Sequence, residues 1–519
     1  MSRLLFSGGP IVGMDPAVRG DAVLVEKGRI SAVASLEELR AAAPDAVHVP
    51  LDGATLMPAF LDAHSHFTQT AFSFLQVSLD GAASEEEIAA RLRAAAVPPG
   101  QWIQARDYDH NILPGGRHPT LAFLDRAAPE NPLIIQHKSG HLGLLNSRSL
   151  ALLGIGPGTP SPSGGRIGME NGRPNGYLEE NAFFEAMKKV PMPGKGAILD
   201  AYRKSQALYA SHGIATVQEG MLTKEMLPLY QLLLGQDLLK LDLVAYADPA
   251  FYQEASALLN GLPGGTHFRI GGMKIFLDGS PQGKTAWLRQ PYEGGDFYGY
   301  GTLPDETVHR AFLHAAEAKT QLLAHCNGDA AAAQFLRCLE SAEAEAPILA
   351  ALRPVLIHGQ ILGKDQIPGA KALGAMVSFF VAHVYHWGDT HLRNLGADRA
   401  ARISPAASAL RAGLPFTFHQ DTPVIKPDMW ETIWCAVCRK TRAGVLLGPE
   451  ERISAAEALR AVTVSTAWQY GEERQKGSIS PGKRADLIIV DKNPLEVPPE
   501  ELRFIRVLRT YKDGEIVYG

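Results

Sequence analysis

Cysteine is scarce in this chain, four among 519 residues, which excludes a disulfide-stapled framework and fits a reducing compartment. Cys435 and Cys438 form a lone CxxC within Trp430–Lys440, a stretch of helical pattern. A zinc site of that type needs a second pair, so packing is their expected role. No apolar run approaches the ~20 residues of a membrane-spanning helix. The opening MSRLLFSGGPIVGMDP has a short apolar patch cut by Gly-Gly-Pro, too broken for a secretory leader, so the expected location is the cytoplasm. An excess of one charge sign is missing too: Lys+Arg 50 against Asp+Glu 55 gives a net charge of -5. That balance gives no electrostatic case for nucleic acid or an acidic membrane as the main partner. Gly-rich stretches such as GLPGG (261–265) lack the strand–helix setting of a nucleotide-binding loop. A small-molecule substrate is the expected partner.

What the chain does have, from about Gly213 onward, is a rhythm of short apolar runs alternating with longer segments of helical period. The runs are Gly213–Gly220, Leu239–Ala247, Arg269–Asp278, Gln321–Asn327, Pro354–Gln360, Ala375–His383 and Leu414–Asp421, with an eighth upstream at Thr55–His66. Asp305–Lys319 and Asp329–Ala344 read as helices between them. The expected fold class is α/β, a (β/α)8 TIM-type barrel, because run after run stays apolar until it ends in His, Asp, Glu or Gln. The C-terminal strand ends form the active face of such barrels. Residues 1–55 and 470–519 read as short strands that pair into one small β-sandwich. Residues 56–469 then form the barrel, and about 75–190 form a subdomain inserted after its first strand. The Gly-, Pro- and Ser-rich stretch Gly154–Gly176 is expected to be a flexible connector or a lid.

The strongest local signal is Asp62-Ala63-His64-Ser65-His66. Residues two apart on a strand face the same side, so the two imidazoles can converge on one ion. Asp62, in phase with them, could accept the free ring N–H of a ligand histidine. Such pairs also occur as satisfied or exposed histidines, but the residue type recurs at other strand ends. His325, His358 and Asp421 each close a run, and the chain has only 17 histidines. Cys326 should point away from the site, since side chains alternate along a strand. Lys274, inside GGMKIFLDGS, is either functional or paired with Asp278.

These residues resemble the amidohydrolase superfamily, specifically amidohydrolase family 3, the group that includes N-substituted formamide deformylases and exoenzyme-regulatory-protein-like members. The resemblance runs through DAHSH, HKSGHLGLLNSRSLALLGI, KIFLDGSPQGKTAWLRQPY, AHCNGDAA, VLIHGQ and FHQDTPV to GSISPGKRADLIIVDKNP, nearly the whole chain. It implies that His64, His66 and Asp421 hold a first metal ion and that His325 and His358 hold a second. It also implies that Lys274 bridges the two as an N-carboxylated lysine. One or two divalent ions are expected, zinc foremost, with manganese or iron as alternatives. The implied activity is cleavage of a non-peptide C–N bond, amide or formamide, by metal-activated hydroxide, with Asp421 as catalytic proton shuttle. A cyclic amidase, deaminase or esterase on the same scaffold, or a non-catalytic regulatory member, are the rival readings.

The resemblance also makes His141 of the SGH motif and Glu179 of the GxLxE motif candidate substrate contacts. His383, with His386 and Trp387, follows strand seven and is a candidate for the pocket rim. Departures stand beside the ligands: Asn327 within the HAIGD-like stretch, Ile357 before His358, and Phe418-His419-Gln420 before Asp421. They resemble the exoenzyme-regulatory-like subgroup more than the deformylases. A homodimer is expected only by analogy with barrel enzymes in general.

Overall fold

The computed structural model describes residues 3–138, 140, 142–162, 165–262 and 265–519. They divide into two units, Met1–Phe67 with Gln206–Gly519, and Thr68–Ser205. Among the described residues no helix is long and apolar enough to cross a membrane.

The first unit is organised by an eight-stranded parallel sheet. Its strands are β1 Phe60–Leu61, β2 Ile214–Leu222, β3 Asp242–Ala247, β4 Phe268–Phe276, β5 Gln321–Cys326, β6 Val355–His358, β7 Met376–Phe379 and β8 Phe416–Phe418, each paired with the next in chain order. Most of these strands are buried along their whole length, as a parallel sheet covered on both faces requires. The sheet curls. Just past β1 and β8 the backbone of His66 donates to the Thr422 carbonyl at 2.8 Å, and that of Asp421 to the His64 carbonyl at 3.2 Å. Helices Asp305–Glu317 and Asp329–Glu345 flank β5 in the chain.

The run Thr55–His66 is not the single strand its composition predicts. Thr55–Pro58 pairs antiparallel with Leu487–Val490, in a different sheet, and only Phe60–Leu61 joins β2. Pro58 has no N–H to continue the first ladder. The Ala59 N–H then goes to Asp486 at 2.9 Å and the Phe60 N–H to Gly213 at 2.8 Å, so the chain changes sheets within two residues.

Thr55–Pro58, Leu487–Val490, Val507–Lys512 and Glu515–Tyr518 form one four-stranded sheet, and Leu4–Ser7, Ala22–Glu26, Arg29–Ala34 and Val47–Pro50 form another. Phe6, Val23, Leu56, Leu487, Ile489 and Tyr511 share one buried core between them, so both ends of the chain meet there.

An ionic knot joins the start of β3 to the C-terminal strands. Asp242, 8% exposed, lies 2.5 Å from Lys476, 2.8 Å from Arg484 and 3.0 Å from Lys512, and its other oxygen lies 2.7 Å from His267. Burial alone would push the Asp242 carboxyl up; Lys476, His267, Lys512 and Arg484 outweigh it and hold it well below its ordinary value.

The second unit carries its own six-stranded sheet, in the order Gly165–Glu170, Arg173–Glu180, Leu142–Leu145, Leu133–His137, Ile103–Tyr108, Val77–Ser78. The last three run parallel and the first three antiparallel. Alternation gives it two cores: Leu133 and Ile135 face one, Ile134 the other. The stretch 154–176, expected to be a flexible connector or a lid, runs into a β-hairpin from Gly165 to Glu180. Its turn is Asn171-Gly172, both at positive φ (49° and 74°), the pair a two-residue turn demands.

Asp242→Asn leaves two buried lysines and Arg484 short of a counter-charge and should cost about 3–5 kcal/mol. A depressed carboxyl contributes stability that is present above its ordinary value of 3.8 and is lost as pH falls below it. Urea midpoints should therefore differ strongly between the variant and the unaltered protein near neutrality and converge in acid. Equal midpoints at neutral pH would refute the role given to the knot.

Candidate metal centre

Every ligand candidate of the first unit sits at or just beyond the C-terminal end of a sheet strand, except Lys274, which lies two residues inside the end of β4. His64 Nε2 lies 3.5 Å and His66 Nε2 3.3 Å from Asp421 Oδ1. One ligand atom from each of the three residues falls within 4.8 Å of the others. Tetrahedral ligand atoms on a zinc-sized ion stand roughly 3.3 Å apart, so these separations suit a shared cation. Alongside them, His325 Nδ1 faces His358 Nε2 at 3.1 Å, His358 Nε2 is 4.0 Å from Asp421 Oδ2, and Lys274 Nζ is 3.3 Å from His64 Nε2. The structure thus brings all six residues into one cluster.

Hydrogen bonds behind the rings decide which nitrogens face inward. The Tyr470 hydroxyl donates to the Asp62 carbonyl at 2.5 Å and accepts from Gln218 Nε2 at 3.0 Å, and Gln218 Nε2 also donates to the Ala63 carbonyl. That orientation turns Gln218 Oε1 toward His64 Nδ1, 2.6 Å away. An oxygen can only accept, so Nδ1 carries the proton and Nε2 offers a lone pair to the centre. On His325 the Gly279 carbonyl, 3.1 Å from Nε2, does the same and leaves Nδ1 bare. His358 Nδ1 contacts His419 Nε2 at 3.1 Å, and His419 Nδ1 contacts Ser378 Oγ at 2.7 Å.

Electrostatics agree with this pattern. Burial pushes His325 down to about 4 and His419 to about 3, and holds His64 and His358 well below their ordinary value, so these rings are neutral near pH 7. His66 goes the other way: burial opposes its charge, but the Asp421 carboxylate outweighs burial and raises it. Asp421 is held well below the carboxylate range, because the His66, His358 and His64 rings outweigh its burial. Burial brings Lys274 down to about 7. His358 and Asp421 stand at φ of 76° and 54°, a left-handed backbone that non-glycine residues adopt at a cost and that clusters at functional sites.

Several expectations change. Asp62 does not hold a ligand ring; Gln218 does, while Asp62 is fully buried, accepts the His64 backbone N–H at 3.3 Å and is pushed up to about 7 by burial. Asp278 is not the partner of Lys274. It accepts backbone N–H groups from Trp287, Asn327 and Gly328 at 2.7–3.0 Å and fixes the turn after β5. Three residues that spacing did not single out belong to the cluster: Gln218, Glu219 and His419. Glu219, fully buried, stands 3.9 Å from His66 Nδ1. The signal for the first two was their place at the polar end of an apolar run, and for His419 its phase two residues before Asp421.

His383 is buried against Trp387 and Phe380, with its Nδ1 3.1 Å from His391 Nε2. Phe380 also lies against His419 and His358. His386 pairs with Glu431 at 2.8 Å. Glu179 belongs to the second unit, where Arg166 and the Tyr177 hydroxyl bond it. His141 lies outside the described residues. Cys326 is buried with its sulfur toward the Gly328 carbonyl, and Cys435 and Cys438 are buried in helix Met429–Cys438. A cavity of about 680 Å³ opens beside Lys274, lined by Met221, Ile275, Phe276 and Leu303, with Asp248 and Arg310 among its polar residues.

The sequence profile described as the amidohydrolase family matches residues 49–518, and that of an imidazolonepropionase-like composite domain of bacteria matches residues 22–46. An N-substituted formamide deformylase of Arthrobacter pascens is 30% identical over 96% of this chain and 94% of its own length. The exoenzymes regulatory protein AepA of Pectobacterium carotovorum subsp. carotovorum is 25% identical over 60% of this chain and 70% of its own. A metal-dependent hydrolase from Pyrococcus horikoshii OT3 superposes with a TM-score of 0.81 at 23% identity, covering 96% of this chain and 99% of that one, a likeness of fold.

Gln218→Leu removes the acceptor that fixes the His64 tautomer. Competition with a chelator should show metal affinity weakened roughly 10–100-fold with the circular dichroism spectrum unchanged. Unaltered affinity would remove Gln218 from the centre.

Proposed function

The chain belongs to the amidohydrolase family, and on that premise we propose that it hydrolyses an acyclic amide or formamide C–N bond in a small molecule with an apolar N-substituent. The carrying observation is the convergence of His64, His66 and Asp421 beside His325, His358 and Lys274 at the strand ends of a sheet we read as a closed (β/α)8 barrel. The donor set fits one or two divalent cations: three rings kept neutral by burial, a fourth, His66, beside the carboxylate of Asp421, and one buried amine. A bound ion of this kind acts as a Lewis acid and makes water a nucleophile near neutral pH.

The rest falls to the chain's own side chains. Asp421 accepts the proton that water loses as its oxygen attacks the carbonyl carbon. It then returns that proton to the nitrogen as the C–N bond breaks, giving a carboxylic acid and an amine. Burial keeps a large fraction of Lys274 as free amine, with Nζ facing His64. Addition of that amine to CO2, with release of one proton, would give a carbamate, an anionic oxygen ligand for a bound cation. The cavity walls of Met221, Ile275, Phe276 and Leu303 suit an apolar substituent on the leaving nitrogen. The family membership and the 30% identity to an N-substituted formamide deformylase support this bond type.

The test is a hydrolysis screen of N-formyl, N-acyl and cyclic-amide compounds with metal-loaded protein. Turnover of the acyclic compounds is expected, falling about 10²–10⁴-fold in Asp421→Asn while metal content holds. Turnover of the cyclic compounds alone would overturn the bond assignment, and full activity of Asp421→Asn would overturn its role. Protein grown with zinc or manganese that holds no stoichiometric metal would instead indicate a non-catalytic binder. Lys274→Ala should lower the occupancy of the second ion most, as read by elemental analysis. Phe276→Ala should raise KM for bulky apolar N-substituents while leaving kcat for small ones nearly unchanged.

A further inference from the structure

The second unit gathers a constellation of its own. Residues 68–205 hold four histidines, and three of them, His110, His118 and His137, pack together with ring centroids 4.2–6.3 Å apart. The topology explains why. Strands Ile103–Tyr108 and Leu133–His137 are neighbours in the parallel part of the sheet, and Tyr108 is in register with His137. Asp109 and His110 therefore leave one strand just where His137 ends the next. Ligand sites gather beyond the carboxyl ends of adjacent parallel strands, where side chains from two strands can point at one volume.

From this geometry we propose that Asp109, His110 and His137 form a divalent-cation site in the second unit, built from residues other than those of the first unit's centre. His110 Nδ1 and His137 Nε2 face each other at 3.0 Å, and an Asp109 carboxylate oxygen lies 3.7 Å from the same His137 nitrogen. One ligand atom from each falls within 4.8 Å of the others. These are the separations of ligand atoms around an ion held at ~2.0–2.2 Å, and the mutual approach of the two ring nitrogens parallels that of His325 and His358. The His137 side chain is 8% exposed and that of Asp109 26%, so the site is anchored in the sheet yet open on one side. Tyr108 OH, 3.1 Å from His118 Nδ1, holds that ring against His110 and makes His118 a positioning residue.

Two imidazoles and one carboxylate suit zinc, cobalt or nickel rather than magnesium or calcium. Three protein ligands leave a position on the ion for water or a substrate group.

The test removes the first centre and reads the second. Full-length His64→Ala/His66→Ala/His325→Ala/His358→Ala protein, stripped with a chelator, is titrated with Co(II) and followed by visible absorption. A d–d band saturating at one equivalent per chain is expected, and it should vanish when His110→Asn is added. Zn(II) content of the His110→Asn/His137→Asn protein, otherwise unaltered, should fall by one equivalent, with circular dichroism and first-centre metal retained. No saturable band, or a band and zinc content indifferent to His110 and His137, would overturn the proposal. Because the readout is metal alone, its failure is distinct from failure of the hydrolase reading.

Discussion

Keeping several imidazoles neutral with their lone pairs turned inward is the constraint on which the rest of the centre depends. Burial supplies the neutrality, and a chain of acceptors supplies the direction: the Asp62 carbonyl orients Tyr470, Tyr470 orients Gln218, and Gln218 Oε1 fixes His64. A partly exposed ring would titrate near neutral pH and turn freely, and three such rings would not share an ion. The eight-stranded sheet answers both needs. It buries the rings of His64, His325 and His358 at the strand ends, and it puts Gln218, the Gly279 carbonyl and His419 within reach of their other nitrogens.

Much of this was legible in the sequence because strand and ligand follow the same rule. A parallel strand buried on both faces reads as an apolar run, and its C-terminal residues are freed from the ladder to carry chemistry. His64, His66, His325, His358 and Asp421 stand out for that reason. The residues that hold them do not. Gln218 and His419 each touch a ligand ring through one hydrogen bond, and nothing in their spacing separates a ring-orienting side chain from an ordinary buried one. Asp62 misled for the same cause: its phase is right, but its carboxyl meets the His64 backbone and not a ring.

The fold shows a similar division. Strand runs and flanking helices could be read from period and composition. The boundary at Thr55–His66 could not, because both halves are apolar and only the partner strand tells them apart; Pro58 was the local mark. In the second unit, Asn171-Gly172 was a turn signal hidden inside a Gly- and Pro-rich stretch whose overall composition suggested a connector. Composition averaged over twenty residues conceals a hairpin that two residues define.

The change of sheets at Pro58 also bears on how the molecule comes into being. Thr55–Pro58 has its antiparallel partner in Leu487–Val490, almost the whole chain later. As synthesis proceeds from the N-terminus, that strand is made before its partner, and the parallel strands downstream are all made in between. The side chains that cover it, Leu487 and Ile489 among them, arrive last. The sheet that Thr55–Pro58 belongs to is therefore completed by residues from the far end of the sequence, and its core closes only when both are in place.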